Sequence, residues 1–289
     1  MLEDLTSVLP TVEGIQEASL RMYRTRDVAA LFAHREATNQ KYTNLAAITD
    51  RLMAELVLAF NRTRPVAIAD LGAGAHPELY QRVWTELLSD QKPHRVYWVD
   101  AAQTMLDLAH QYLVETNNEG AEKVLRYCCQ DMVQFLIKNP AQSLDCIVMR
   151  YTFSWVADIT QFFKEAQRVL KKGGKMIITF AKPEPLLASH SSNARYRWRS
   201  QDIPAGETRP LVEGEPYEVV FSKAYKDPSQ GDLPGARMWV YFHSLEEVTR
   251  VAAAQGLVVR YGDWRTFVDV PSGSSYADVA EPFLILHRV

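Results

Sequence analysis

Three cysteines in 289 residues are too few for a disulfide framework, and they are badly placed for one: Cys128 and Cys129 are neighbours and Cys146 lies in an apolar run. A reducing compartment fits that usage. No apolar run approaches the roughly 20 residues that cross a bilayer. The opening Met1-Leu2-Glu3-Asp4 carries acid where a secretory leader carries a positive region. These features lead us to expect a cytoplasmic protein with no membrane partner. Neither sign of charge is in excess, since 32 Lys and Arg stand against 35 Asp and Glu for a formal net charge of −3. The global electrostatic footprint of a protein that binds nucleic acid through its whole surface is therefore missing, although a local basic patch is not excluded. The seven histidines show no i, i+4 pairing of the kind that seats a metal, so no metal is expected. Internal repeats and low-complexity tracts are absent as well.

What the chain has is apolar substance, 47% of its residues, enough to bury a core in one large domain or two small ones. From Asn61 onward, short apolar runs alternate with amphipathic segments, the pattern of a parallel sheet with helices on its faces. Strands are predicted at Val66–Leu71, Val96–Asp100, Val124–Cys129, Leu144–Val148 and Lys175–Phe180. Helices are predicted near Pro77–Ser89, Ala101–Glu115, Val133–Lys138 and Ile159–Lys171. The first sixty residues read as mostly helical, with Leu45, Ile48, Leu52, Leu56 and Ala59 as an apolar stripe. Past Lys182 the alternation breaks until His243, too long a stretch for an ordinary connection, so a functional insertion is expected. Within it, Tyr217–Val220 and Met238–Phe242 are expected to pair as an antiparallel ribbon. Ser244-Leu245-Glu246-Glu247 is a capping-box pattern that opens a helix ended by Gly256. Strands at Leu257–Tyr261 and Phe283–Leu286 then complete the pattern.

Open α/β sheets bind ligands beyond the carboxyl ends of their strands, so the residues just after each strand form a set. Here they are Asp70 to His76, Asp100, Gln130-Asp131 and Met149 to Trp155. Gly72 and Gly74 let the backbone approach a ligand closely, or simply serve a tight turn. Asp100 either accepts two ribose hydroxyls or caps the helix that follows, and both roles are compatible. Asp131 poses the same choice. A dinucleotide-binding turn would require glycine at position 77, where the chain has Pro77.

In order along the chain, this set resembles the class I S-adenosylmethionine-dependent methyltransferase family, over Val66 to Phe180 with a recognisable tail from Ser244 to Val289. Asp70-Leu71-Gly72-Ala73-Gly74-Ala75-His76 is similar to the family's first motif, Asp100 to its second acid and Asp131 to its adenine-side acid. Arg150-Tyr151-Thr152-Phe153-Ser154-Trp155 resembles the segment after strand four. The most specific match is Ala166 to Lys175, a helix running into Leu170-Lys171-Lys172-Gly173-Gly174. One departure is His76, which stands where the family often has a third glycine. The resemblance implies an α/β, Rossmann-like sheet of seven strands in the order 3-2-1-4-5-7-6, with strand seven antiparallel. It also implies S-adenosyl-L-methionine as cofactor and S-adenosyl-L-homocysteine as product. Cofactor contacts are implied for Asp70, Gly72, Ala73, Gly74 and His76 from the first turn, and for Asp100, Ala101 and Met105 from the second. Gln130, Asp131 and Met132 follow from the third, and Arg150, Tyr151 and Trp155 from the fourth.

Methyl transfer from a sulfonium is an in-line displacement, so holding the acceptor in a dry pocket supplies much of the acceleration. A base would serve a hydroxyl acceptor, at a typical gain of ~10²–10⁴-fold. The segment Met149-Arg150-Tyr151-Thr152 is unlike the Asn-Pro-Pro-Tyr segment of amino-group enzymes acting on nucleic acid or glutamine. It also lacks the acid of the metal-dependent catechol type. Cysteine attack is disfavoured because all three cysteines sit in strand runs. Phe153, Ser154, Arg197, Trp198 and Tyr217 are the candidate substrate-binding residues, while His243, His190 and Tyr196 are candidates for positioning the acceptor or acting as a base. Arg195-Tyr196-Arg197-Trp198-Arg199 alternates charge with aromatics, suited to an anionic or aromatic group. The expected function is methyl transfer to nitrogen or oxygen of a small molecule. The alternatives are RNA or peptide methylation through Arg195–Arg199, and a non-catalytic relative that binds the cofactor or a partner. The chain divides into a helical lid (1–64), a cofactor core (65–181), a covering insertion (182–243) and the rest of the sheet (244–289), all in one domain.

Overall fold

The computed structural model describes residues 11–38, 40–61, 64–89, 92–116, 120–179, 186–189, 194–199, 201–224, 227–262 and 283–289. Three helices lead, α1 (Val12–Arg24), α2 (Arg26–Thr38) and α3 (Gln40–Asn61). The alternating core follows: β1 (Ala67–Leu71), α4 (Gln81–Leu88), β2 (Arg95–Asp100), α5 (Gln103–Glu115), β3 (Leu125–Cys129), α6 (Met132–Lys138), β4 (Leu144–Arg150), α7 (Ile159–Val169) and β5 (Leu170–Thr179). The insertion is strands, β6 (Leu186–Ala188), β7 (Ala194–Trp198), β8 (Gln201–Asp202), β9 (Thr208–Pro210), β10 (Pro216–Ala224) and β11 (Asp227–Tyr241). The chain returns to the core through α8 (Leu245–Ala254), β12 (Leu257–Gly262) and β13 (Phe283–Arg288).

Side-chain capping sets where several helices begin. Asp131 accepts from the amides of Val133 and Gln134, Asp158 from Gln161 and Ser244 from Glu247, each satisfying donors that a first turn leaves open. The seven-stranded sheet has the order β12-β13-β5-β4-β1-β2-β3, with β13 antiparallel to both neighbours and the other core pairings parallel. That is the order expected from the sequence.

Alternate strand residues serve the two faces, as the pleat requires. Ile68, Cys146, Val148 and Ile177 pack with residues of α3, α4 and α5, while Ala69, Ile147, Met149 and Ile178 pack with residues of α6, α7 and α8. The signature segment after α7 has a structural reason. Lys171 reaches the fully buried Asp145 at 2.7 Å, and that carboxylate also accepts from the amide of Ala67 at 2.8 Å and pairs with Arg64. One buried charge thus joins β1, β4 and β5 at the end of the sheet away from the site.

Four expectations change in detail. The predicted helix from Pro77 divides into a 3-10 turn, Pro77–Leu79, and α4. β5 starts at Leu170 and carries Gly173 and Gly174 within it, beside an irregularity in its register with β4. On α3 the buried stripe is Ile48, Met53, Leu56 and Val57; Ala59 is exposed, and the Leu45 side chain lies outside the described set. The expected ribbon forms, with Tyr217 opposite Val240 and Val219 opposite Met238, but it is part of a four-stranded sheet ordered β11-β10-β7-β8. Ser19 of α1 clasps this second sheet, donating to the carbonyl of Trp239 at 3.3 Å and accepting from its amide at 2.9 Å.

Candidate active site

At the carboxyl end of β1 the chain turns sharply. Gly72 and Gly74 both have φ of 69°, in the left-handed region that side chains resist. The amides of Gly72 and Ala73 donate to Val99 O at 2.8 and 2.9 Å, and the buried Trp98 indole donates to Gly74 O at 2.8 Å. Glycine at 72 is also a matter of space, since a Cβ there would lie 2.5 Å from Thr152 Cγ2.

Asp100 ends β2 beside that turn. Its Oδ2 accepts from Gly74 N at 3.1 Å and its Oδ1 from Ala102 N at 2.9 Å, so it joins the first turn to the start of α5. Burial pushes the carboxyl up to about 6, against the two amides that pull it down. Both roles read for Asp131 remain open to it, because the capping bonds use Oδ1 alone.

After β4 the backbone is strained at Tyr151, whose φ of 55° is unusual for a bulky residue; its amide donates to Thr179 Oγ1 at 2.9 Å. The neighbouring Arg150 donates to Ala73 O at 3.1 Å, faces Asp70 Oδ2 at 3.6 Å and lies 4.8 Å over the Tyr80 ring. Asp70 itself lies fully buried beneath the turn, where it accepts from the Tyr80 hydroxyl at 2.7 Å. It therefore supports the site through Arg150 and Tyr80 and is not on the cavity wall, contrary to the expected direct contact. Burial raises its carboxyl above the ordinary range, and Arg150 and the Tyr80 hydroxyl oppose that.

These turns form one end of a cavity of about 300 Å³. Thirteen residues read from the sequence as cofactor contacts stand on its wall: Gly72, Ala73, Gly74, His76, Asp100, Ala101, Met105, Gln130, Asp131, Met132, Arg150, Tyr151 and Trp155. His76 is neither in solvent nor at a bare helix start. It is buried, its Nε2 lies 2.6 Å from Ala33 O and its Nδ1 2.6 Å from Glu78 Oε1, and it stacks on Tyr112. It thereby fastens α2 to the glycine turn.

The other end of the cavity escaped sequence reasoning. Ile15, Gln16, Ser19, Leu20 and Tyr23 of α1 line it, with Phe32 of α2, Phe221 of β10, and Met238, Trp239 and Tyr241 of β11. The expected lid and ribbon located these segments, but single apolar residues in them look like ordinary core.

Most of the expected acceptor-side residues lie elsewhere. His243 is buried off the wall, its Nε2 2.7 Å from Val156 O and its ring edge-on to Phe153, and burial lowers its pKa. It closes the backbone at the end of the insertion and, being off the cavity wall, is not placed to act as a base there. Phe153 packs into the core against Phe162 and Phe163, and Ser154 is also off the wall. Tyr196 and Tyr217 meet edge to face at 6.1 Å, in the cluster that includes Phe221. The basic patch is a strand whose charges are spent on neighbours. Arg195 pairs with Asp202 and Asp232, Arg197 with Glu218 at 2.6 Å and Asp202 at 3.2 Å, and Arg199 with Glu215 at 3.4 Å; Trp198 donates to Glu215 at 3.1 Å. His190 lies outside the described residues. Among the described residues no cluster of three or more His, Cys, Asp or Glu is placed to hold a metal, and no helix is long and apolar enough to cross a membrane.

Residues 70–178 match the family described as a methyltransferase domain. Among curated proteins, the chain is similar to the malonyl-(acyl-carrier protein) O-methyltransferase of Paenibacillus sp. strain JDR-2, 28% identical over 112 residues, covering 38% of this chain and 39% of that one. It is also similar to the biotin biosynthesis bifunctional protein BioHC of Teredinibacter turnerae, 27% identical over 191 residues, covering 65% of this chain and 31% of that one. The chain thus spans less than two fifths of the length of these relatives. A solved structure similar to it is the S-adenosylmethionine-bound amino pentose methyltransferase CalS10 of Micromonospora echinaspora, with TM-score 0.49 and 16% identity over 90% of this chain and 96% of that one. The matched segment begins at Asp70 under the glycine turn and ends at Ile178 in β5, so the part of the chain that matches a methyltransferase domain contains every turn of the sheet that reaches the cavity.

Proposed function

We propose that this chain transfers a methyl group from S-adenosylmethionine to a nitrogen or oxygen atom of a small molecule by in-line displacement. The observation that carries the reading is the cavity itself. Its polar end is built from strand-end turns and its other end is closed by side chains of α1, α2, β10 and β11. The residues suit the cofactor. Gly72 and Gly74 hold the left-handed turn that brings backbone to the cavity wall, Asp100 suits the ribose hydroxyls, and Gln130, Asp131 and Met132 suit the base. Arg150 supplies positive charge beside the first turn. When bound, S-adenosylmethionine supplies a methyl group on a positively charged sulfur. The chain's own contribution is to hold the acceptor on the methyl–sulfur axis and to exclude water with Tyr23, Trp155, Phe221 and Trp239. No general base is assigned, because His243 is committed to Val156.

The curated relatives favour a second reading, O-methylation of a carboxyl group on a carrier-bound acyl chain. RNA or peptide methylation through Arg195–Arg199 is disfavoured by the ion pairs that occupy those arginines. Calorimetry with S-adenosylhomocysteine tests the leading reading: the wild type binds, and Asp100→Ala weakens binding at least tenfold. Binding of a nicotinamide dinucleotide with no binding of S-adenosylhomocysteine would overturn it. A labelled-methyl screen across amines, phenols, carboxylates and RNA then identifies the acceptor atom.

A further inference from the structure

The acceptor end of the cavity is a chamber of aromatic rings. Tyr23 lies 5.5 Å from Phe32 and 5.7 Å from Trp155, and Phe32 lies 4.7 Å edge-on to Phe221. Trp239 and Tyr241, packed with Ile15, line the same cavity from β11. These six side chains come from α1, α2, β10, β11 and the turn after β4, so the chamber exists only in the folded chain. Its shape is held from behind. Tyr23 O accepts from Thr104 Oγ1, His76 anchors Ala33 next to Phe32, and Ser19 clasps Trp239. A wall of preformed rings gains its binding energy from flat apolar surface, through stacking and edge-to-face contact.

Charge on the wall is concentrated at the opposite end. The residues that α1, α2, β10 and β11 contribute to it are Ile, Gln, Ser, Leu, Tyr, Phe, Met and Trp. Arg150 is turned toward Asp70, Ala73 O and the Tyr80 ring, and His76 toward Glu78 and Ala33 O. A carboxylate brought into the aromatic chamber would lose hydration without meeting a cationic side chain, since α1, α2, β10 and β11 contribute no Lys, Arg or His to the wall. A protonated amine has no lone pair to methylate, so an amine acceptor reacts only in its neutral form.

Resting on the proposed methyltransferase reading and deepening it, we infer that the methyl acceptor enters as an uncharged, ring-bearing apolar molecule, recognised by Tyr23, Phe32, Trp155, Phe221, Trp239 and Tyr241, and not as a carboxylate. This separates the chain from the carboxyl-directed second reading.

The test uses the protein saturated with S-adenosylhomocysteine and two probes of similar size, 2-naphthol and 2-naphthoate. Calorimetry is expected to show 2-naphthol binding at least tenfold more tightly than 2-naphthoate. Phe32→Ala should raise the 2-naphthol Kd about tenfold while moving the S-adenosylhomocysteine Kd less than twofold. Phe221→Leu serves as a second variant if Phe32→Ala does not fold. The inference is overturned if 2-naphthoate binds as tightly as 2-naphthol, if 2-naphthol does not bind, or if the folded variants leave its affinity unchanged. Failure of the wild type to bind S-adenosylhomocysteine is a separate outcome, and it strikes the proposed function rather than the acceptor class.

Discussion

The two ends of the cavity are made by different means. The end proposed for the cofactor is built from backbone turns that close within a few residues of a strand, and Gly72, Asp100 and Asp131 shape it through local geometry and amide hydrogen bonds. The acceptor end is assembled from side chains of α1, α2, β10 and β11, brought together only by packing, with contacts such as Ser19 to Trp239 spanning 220 positions. The first end is built into the sheet whose residues 70–178 match a methyltransferase domain, and the other end is free to change without disturbing it.

The largest effect is expected where the turn has no room. At Gly72 an added Cβ meets Thr152 Cγ2 at 2.5 Å and Cβ at 2.8 Å, and Thr152 is held in place because its Oγ1 donates to Leu71 O at 2.8 Å. The left-handed φ adds about 1–2 kcal/mol of strain. Gly72→Ala should therefore lower S-adenosylhomocysteine affinity at least a hundredfold, roughly 3 kcal/mol at 1.4 kcal/mol per tenfold. Gly206 is the contrast: its φ is 82°, but a Cβ there meets nothing within 4 Å. Gly206→Ala should cost only the strain and leave cofactor binding unchanged. Equal losses in the two variants would erase the distinction between the turn and the insertion.

A smaller, pH-dependent effect should come from Asp100. Its carboxyl is raised to about 6, so it is ionised above that pH and protonated below it. The ionised form leaves lone pairs on both oxygens for ribose hydroxyls while accepting from Gly74 and Ala102. Cofactor affinity should consequently rise through pH 6 and level off above about 7, with a loss of about tenfold one unit below the midpoint if only the ionised form binds. Asp100→Asn should flatten that profile. Calorimetry between pH 5 and 8 decides it, and a flat wild-type profile would remove Asp100 from the binding step.

Legibility in the sequence follows the same division. The strands, the glycine turn and the two acids were readable because each leaves a local signal: an apolar run, a residue without Cβ or an acid at a helix start. The order of the strands, by contrast, came from the resemblance alone. Lys171 stood out in a recognisable segment, although its partner Asp145 lies 26 positions away and only the fold explains the pairing. His243 was misread because the group that satisfies it, Val156 O, lies 87 positions off. Tyr23, Phe32, Phe221 and Trp239 carried no distinguishing mark, since an aromatic residue facing a cavity and one facing a core have the same spacing. Arg195–Arg199 was misread for a related reason. As a strand it places alternate residues on one face, and β10 sets Glu218 directly opposite Arg197.

That pairing yields the smallest functional effect. Arg197 is hydrogen-bonded to Glu218, which is only 5% exposed, so removing the guanidinium strands a buried carboxylate. Arg237 stands 4.0 Å from the same carboxylate and Arg197 is partly exposed, which together reduce the cost to about 1–2 kcal/mol of stability. Because Arg197 is off the cavity wall, Arg197→Ala should change the affinities for S-adenosylhomocysteine and 2-naphthol less than twofold, with a lowered Tm as its main signature. Methyl transfer lost from a variant that remains folded and still binds the cofactor would return the patch to acceptor binding. Loss confined to an RNA acceptor, with a steep salt dependence in the wild type, would identify that acceptor as a polyanion.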